Sequence, residues 1–136
     1  PSASSCAILL GAPLIHDFVT ISLSNLLTEE KLIKKRVELA AKGDFVIVFY
    51  NPKSKKRITL LNDAWKILMK YKSPKTPVGI VRNGYRNNQE VEITKLENML
   101  QSKIIDMLTT IIIGNSQTYI KGKYMITPRG YKGVRF

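Results

Sequence analysis

Basic side chains gathered in three short polar segments are the first chemistry this sequence offers. Lys53, Lys55, Lys56 and Arg57 fall within residues 51–57, Arg82 and Arg86 within residues 82–89, and Arg129 and Lys132 follow Pro128. Guanidinium forks and ammonium groups pair with carboxylates and phosphates, so they suit a ligand that carries several acids. A basic run at a helix start opposes the helix dipole, which favours a functional reason for residues 53–57 over a merely solvated face. His16, beside Asp17, is the only histidine and the candidate for general acid–base work; a structural histidine is the competing reading. No serine or cysteine partner for it can be assigned. Metal-ligand spacing is absent: there is no CxxC, no HExxH and no carboxylate cluster. No glycine-rich phosphate loop follows an apolar run. Asn83-Gly84 is a turn dipeptide whose glycine permits close backbone approach by a ligand, and a plain loop turn reads equally well.

These segments sit at the ends of apolar runs, and the runs must position them. Residues 2–10 are small and then apolar and read as the last turns of a packed helix, stopped by Gly11 and Pro13. Residues 18–23 alternate as a strand. Thr28 is a good N-cap for a helix that opens with Glu29 and Glu30 and closes at Gly43. Residues 44–50 form a continuous apolar run, the pattern of a strand buried on both faces. A helix from about Lys55 to Tyr71 places Leu61, Trp65, Leu68 and Met69 on one side. Residues 78–81, 90–94 and 109–113 read as further strands, 95–103 as a short helix, and 117–126 as a hairpin.

That order predicts an α/β fold: a mixed, mainly parallel sheet with helices on both faces. In such sheets ligands bind beyond the carboxyl ends of the strands. Four polar segments are expected there: residues 51–57, 82–89, 114–118 and 127–131.

Composition bounds the function. The chain has 136 residues, is 44% hydrophobic and carries 22 Lys and Arg against 10 Asp and Glu, a net charge of +12. Such a field attracts nucleic acid, an anionic membrane surface or a substrate rich in carboxylates. The lone Cys6 forms no internal disulfide and reads as a packing thiol, and a reducing, cytoplasmic setting is expected. No apolar run reaches the roughly 18 residues of a membrane-spanning helix. A nucleic-acid module is disfavoured, because aromatics do not interleave with the basic clusters.

Five segments in order resemble the carboxyl-terminal half of a tetrapyrrole methylase, most closely the precorrin-3B C17-methyltransferase (cobalt-factor III methyltransferase) group. They are LLGAPLIHDFVTISLSNLLT (9–28), GDFVIVFYNPKSKKR (43–57), TPVGIVRNGYRNNQEVEIT (76–94), DMLTTIIIGNSQTYI (106–120) and MITPRGY (125–131). The resemblance implies one α/β domain over residues 1–136, the second half of a two-domain enzyme. The amino-terminal domain with its GxGPG loop lies outside this sequence, which begins in a PGxSS-like segment with Ser2 where glycine is usual.

The resemblance further implies S-adenosylmethionine as cofactor and methyl transfer to C17 of a macrocycle with ring contraction, in cobalamin biosynthesis. Carried over by position, cofactor contacts fall on Ser4, Ser5, Tyr50, Asn51, Gly84, Thr127 and Pro128. Lys53, Arg57, Arg82 and Arg86 would anchor the carboxylates of the tetrapyrrole substrate, and His16 and Asp17 are candidates for the proton movements of ring contraction. Any cobalt belongs to the substrate, not to a protein site. A homodimer is implied, and this half alone is expected to be inactive. The alternatives are a non-catalytic dimerisation domain and a basic polyanion-binding domain.

Overall fold

Three apolar runs build the centre of the sheet, because each buries both of its faces. A computed structural model describes residues 2–53, 59–82 and 88–129. The elements run α1 (Ala3–Leu10), β1 (Gly11–Ala12), β2 (Phe18–Ser22), α2 (Glu30–Lys42), β3 (Val46–Tyr50), α3 (Thr59–Tyr71), β4 (Pro77–Arg82), β5 (Glu90–Lys95), a 3₁₀ helix (Leu96–Gln101), β6 (Thr109–Ile113), β7 (Tyr119–Lys121) and β8 (Tyr124–Ile126). The main sheet has the order β2-β3-β6-β4-β5, and a small sheet has the order β1-β8-β7. The central strands β3, β6 and β4 are buried almost throughout, while β2 and β5 at the edges are largely open.

The mixed α/β class is as expected, with fewer parallel neighbours than foreseen. β2 and β3 pair in parallel, whereas β6 lies antiparallel between β3 and β4, and β5 is antiparallel to β4. Strands β2, β3 and β4 therefore point the same way with β6 reversed among them. The apolar pattern TTIII of β6 carries no sign of direction, so its reversal is invisible in sequence.

Helices cover both faces. On one, Ile33, Val37 and Ala40 of α2, Leu61, Ala64 and Leu68 of α3, and Leu96 and Met99 of the 3₁₀ helix pack on Ile47, Phe49, Ile80, Ile111 and Ile113. Trp65 belongs to this layer, and its indole Nε1 donates to Leu96 O at 2.8 Å. On the other face, Ala3, Cys6, Ala7 and Leu10 of α1 meet Val46, Val48, Val81, Ile112 and Met125. Cys6 is fully buried there.

Two local expectations change. Helix α1 begins at Ala3 with Ser2 as its N-cap, Ser2 Oγ accepting from Ser5 N at 3.1 Å, so residues 2–10 are a whole short helix rather than its last turns. The cap of α2 is Glu29, not Thr28, and it makes no side-chain capping bond. Residues 55–58, expected in α3, lie outside the described residues. Gly11 ends α1 at φ 123°, where an added Cβ would meet Met125 O at 3.0 Å, so this position is restricted to glycine by both conformation and space.

Candidate functional site

The sheet presents two opposite edges, and the sequence candidates divide between them. At the carboxyl end of β3, Tyr50 is half-buried against the start of α1. Burial holds its phenol above the ordinary value of 10.0; the Ala3 backbone N–H pulls it down and the Cys6 thiol pushes it up. Asn51 follows in the left-handed region at φ 49°, which turns the chain out of the strand, and its Nδ2 donates to Ser22 Oγ at 3.0 Å. An asparagine tolerates that backbone better than most residues. Ser2 and Ser5 share a 2.8 Å hydroxyl contact at the start of α1, with Ser4 exposed beside them. Tyr50 is thus set against the helix that carries Ser4 and Ser5, while Asn51 turns toward Ser22 of β2. Lys53, half-buried, lies just beyond Asn51.

Arg82 ends β4 at this same edge, since it pairs with Glu90 and Thr109 across the sheet. Its side chain is committed. Nη1 lies 3.3 Å from Glu90 Oε1, and Nε lies 2.7 Å from Asp106 Oδ2 in a charge contact without hydrogen-bond alignment. Its positive charge is balanced by two carboxylates, so as an anchor for substrate acids it is weaker than its sequence position suggested. Arg57, Gly84 and Arg86 lie outside the described residues.

The opposite edge holds the rest. Asp17 O accepts from Val46 N at 3.3 Å, which sets His16 and Asp17 at the amino end of β3. Thr127 is fully buried; its Oγ1 is 2.7 Å from Thr118 Oγ1 and its N–H donates to Ala12 O at 3.0 Å. Gly114 N donates to Pro77 O at 2.9 Å at the amino end of β4. Thr118, Thr127 and Pro128 therefore share an edge with His16 and Asp17. The five residues of β3 separate it from Tyr50, about 13 Å at about 3.3 Å per residue. The four polar segments expected at one edge are split, because β6 runs backwards and delivers residues 114–118 to the amino end of its neighbours.

This second edge contains a polar recess of about 300 Å³ whose residues were not among the sequence candidates apart from the 114–118 turn. Asp44, at φ 57°, ties that turn to β3: its Oδ1 accepts from Ser116 N at 2.8 Å and its Oδ2 from Ser116 Oγ. Asn115 Oδ1 accepts from Gln117 N and Thr118 N at 2.8 and 3.0 Å. Lys72 is 8% exposed and donates to Phe45 O at 3.1 Å and Gly114 O at 2.8 Å. Burial lowers its ammonium to about 8, with Asp44 pulling the other way. A lysine just past the end of a helix reads in sequence as solvated, and only tertiary packing hides it. Among the described residues no three His, Cys, Asp or Glu side chains are grouped as a metal site would require.

The tetrapyrrole (corrin/porphyrin) methylase family profile matches residues 1–100. The chain belongs to the tetrapyrrole methylase family. A cobalt-factor III methyltransferase of Priestia megaterium is 54% identical over 129 residues, covering 95% of this chain and 24% of that protein. A probable cobalt-factor III C(17)-methyltransferase of Salmonella typhimurium is 47% identical over 127 residues, covering 93% and 52%. The crystal structure of the methyltransferase CobJ superposes with a TM-score of 0.86 at 32% identity, covering 93% of this chain and 53% of that one. This tetrapyrrole methylase chain thus spans about half or less of the length of the relatives it matches. Cobalt precorrin-4 methyltransferase CbiF, at 16% identity and a TM-score of 0.57, shares the fold.

Proposed function

We propose that this chain is the carboxyl-terminal half of a two-domain methyltransferase that methylates C17 of a precorrin-3B or cobalt-factor III type tetrapyrrole and contracts its ring, in cobalamin biosynthesis. The observation that supports this most is the carboxyl edge of β3, where Tyr50 meets the start of α1, the helix that carries Ser4 and Ser5, and Asn51 follows it. The start of α1 carries only small side chains, and the hydroxyls of Ser4 and Ser5 would meet the amino acid carboxylate of S-adenosylmethionine, since the N–H groups of Ala3 and Ser5 are already taken by Tyr50 and Ser2. Bound there, S-adenosylmethionine supplies an electrophilic methyl on a sulfonium. Asn51, held by Ser22, and Tyr50, held at the start of α1, fix the wall of the corner. The buried face of α1 excludes water from behind it. For attack by a neutral carbon on a cationic donor, such positioning and dryness matter more than strong acids and bases.

Lys53, with Arg57 and Arg86, would meet the substrate's rim of carboxylates, and the charge of +12 would speed its capture. Arg82 then acts mainly to join β4 to Glu90 and Asp106. His16, Asp17, Thr127, Pro128 and Gly84 stay in the proposal as family-matched positions. Thr127 would act through the 114–118 turn, since its hydroxyl is occupied by Thr118. The working protein is taken to be a cytoplasmic homodimer.

The test uses the longer protein carrying this half, with methyl-labelled S-adenosylmethionine and cobalt-factor III. Label at C17 of a ring-contracted product supports the reading. Asn51→Ala is expected to lower kcat/KM about tenfold or more by loosening the corner. No transfer, or full activity in Asn51→Ala, overturns it.

A further inference from the structure

Four exposed apolar side chains stand at the carboxyl edge of the sheet, in two loops that flank the end of β3. The first loop, residues 23–29, leaves β2 beside Tyr50, since Leu23 N donates to Tyr50 O at 2.8 Å, and it ends where α2 begins. In it Leu26 and Leu27 are 79% and 99% exposed, the two most exposed large apolar side chains among the described residues. The second loop, residues 102–108, reaches the same edge because β6 runs backwards: its first residue, Thr109, pairs with Arg82 at the end of β4. Met107 and Leu108 close that loop, 60% and 48% exposed. Asp106 fixes them in place, its Oδ1 accepting from Leu108 N at 2.8 Å and its Oδ2 lying 2.7 Å from Arg82 Nε.

β3 lies between β2 and β6 in the sheet, so Tyr50 and Asn51 have one apolar pair on each side. With neighbouring strands about 4.8 Å apart, the strand ends that carry the two pairs are about 10 Å from one another. That span suits a broad flat ligand better than a single side chain. Lys53 follows Asn51 at this edge, while the exposed Glu29 and Glu30 open α2 just past Leu27. Acids on a ligand are therefore repelled from the start of α2 and drawn toward Lys53. Apolar side chains left in water add nothing to the fold, and exposed apolar surface beside a basic edge fits a ligand that is apolar across its face and acidic at its rim.

We infer that Leu26 and Leu27 on one side, and Met107 and Leu108 on the other, carry the apolar face of the substrate ring and hold it across the end of β3, with its acids toward Lys53. This placement rests on methyl transfer to a tetrapyrrole and adds which side chains hold the ring. Water leaves both the ring face and the four side chains when they meet, and that release supplies the affinity. The contacts are with the ring and not with the methyl donor, so they govern tetrapyrrole binding and leave the cofactor's binding alone.

The test uses the longer protein carrying this half and titrates it with cobalt-factor III by absorbance, without S-adenosylmethionine, beside methyl-transfer kinetics. Leu27→Ser and Met107→Ser are each expected to weaken cobalt-factor III binding about tenfold, the size of losing most of one buried apolar side chain. That loss is expected to be equal at low and high salt, whereas the loss from Lys53→Gln shrinks as salt rises. Leu27→Met keeps the apolar area and is expected to bind as the wild type does. KM for S-adenosylmethionine and the urea midpoint are expected to stay at their wild-type values. Unchanged cobalt-factor III binding in Leu27→Ser and Met107→Ser overturns the inference while methyl transfer by the wild type still stands. A lower urea midpoint with unchanged tetrapyrrole binding means that the amino-terminal half covers these side chains, and this too overturns it. Wild type that binds no cobalt-factor III overturns the inference and the methyltransferase reading together.

Discussion

Raising the pH should stabilise this fold, and Lys72 sets the amount. Its ordinary value is 10.5, and in the folded chain it titrates near 8. Between those values the unfolded chain still holds a proton that the folded chain has released, so stability rises with pH across that window. The full interval corresponds to about 3 kcal/mol, at about 1.4 kcal/mol for each tenfold. Over the accessible span from pH 7.5 to 9.5 the expected gain is about 2 kcal/mol. The span stops there because Tyr50, raised above 10.0 by burial, works in the opposite sense at higher pH: the folded chain keeps a proton the unfolded chain has lost. Because the side chain is 8% exposed, solvent screening removes little of the effect. Urea unfolding at pH 7.5, 8.5 and 9.5 reads the gain as a rising midpoint at constant slope. Lys72→Met removes the titrating group, and the difference between the two proteins isolates its share. An equal rise in Lys72→Met, or no rise in the wild type, would refute the reasoning.

Two further outcomes follow from packing. Gly79→Ala would set a methyl 2.4 Å from Leu10 Cδ1 and 2.8 Å from Cδ2, inside a closed core, and is expected to lower stability by about 1–3 kcal/mol; in a double-mutant cycle Leu10→Val should recover part of that loss, and strict additivity would show that the two do not touch. Asp44→Ala removes both bonds to Ser116 and leaves alanine at a left-handed backbone, and chemical denaturation should show a loss of about 2 kcal/mol.

Much of the fold is legible in the residues because burial dictates residue type. The run VIVFY leaves no strongly polar side to face water, and TTIII is β-branched throughout with its two threonines buried, so both fit strands buried on both faces. Helix periodicity picks out Leu61 and Leu68 on the buried face of α3, and Gly11 and Gly43 mark helix ends, whereas on α2 the same spacing takes in Leu32 and Leu39, which are exposed. The position of Tyr50 and Asn51 was legible for the same reason: it follows directly from where β3 stops. The pairing of Asn51 with Ser22 was not, since 29 residues separate them and only the parallel register of β2 on β3 brings them together. Arg82 read as a free cation because no local pattern announces Asp106, which sits in the loop before β6.

By itself the sequence determined the α/β class, the order of elements, the basic charge and the family, since each depends on residue type and local spacing. The tertiary structure decided which edge each loop occupies. An apolar strand reads the same in either direction, so the reversal of β6 could come only from its pairing between β3 and β4. That one reversal puts residues 114–118 at the opposite edge from Tyr50 and Asn51, where His16 and Asp17 already lie because they precede the parallel strand β2. It also brings Gly114 O over Lys72, turning a lysine that reads as solvated into a buried amine beside a recess.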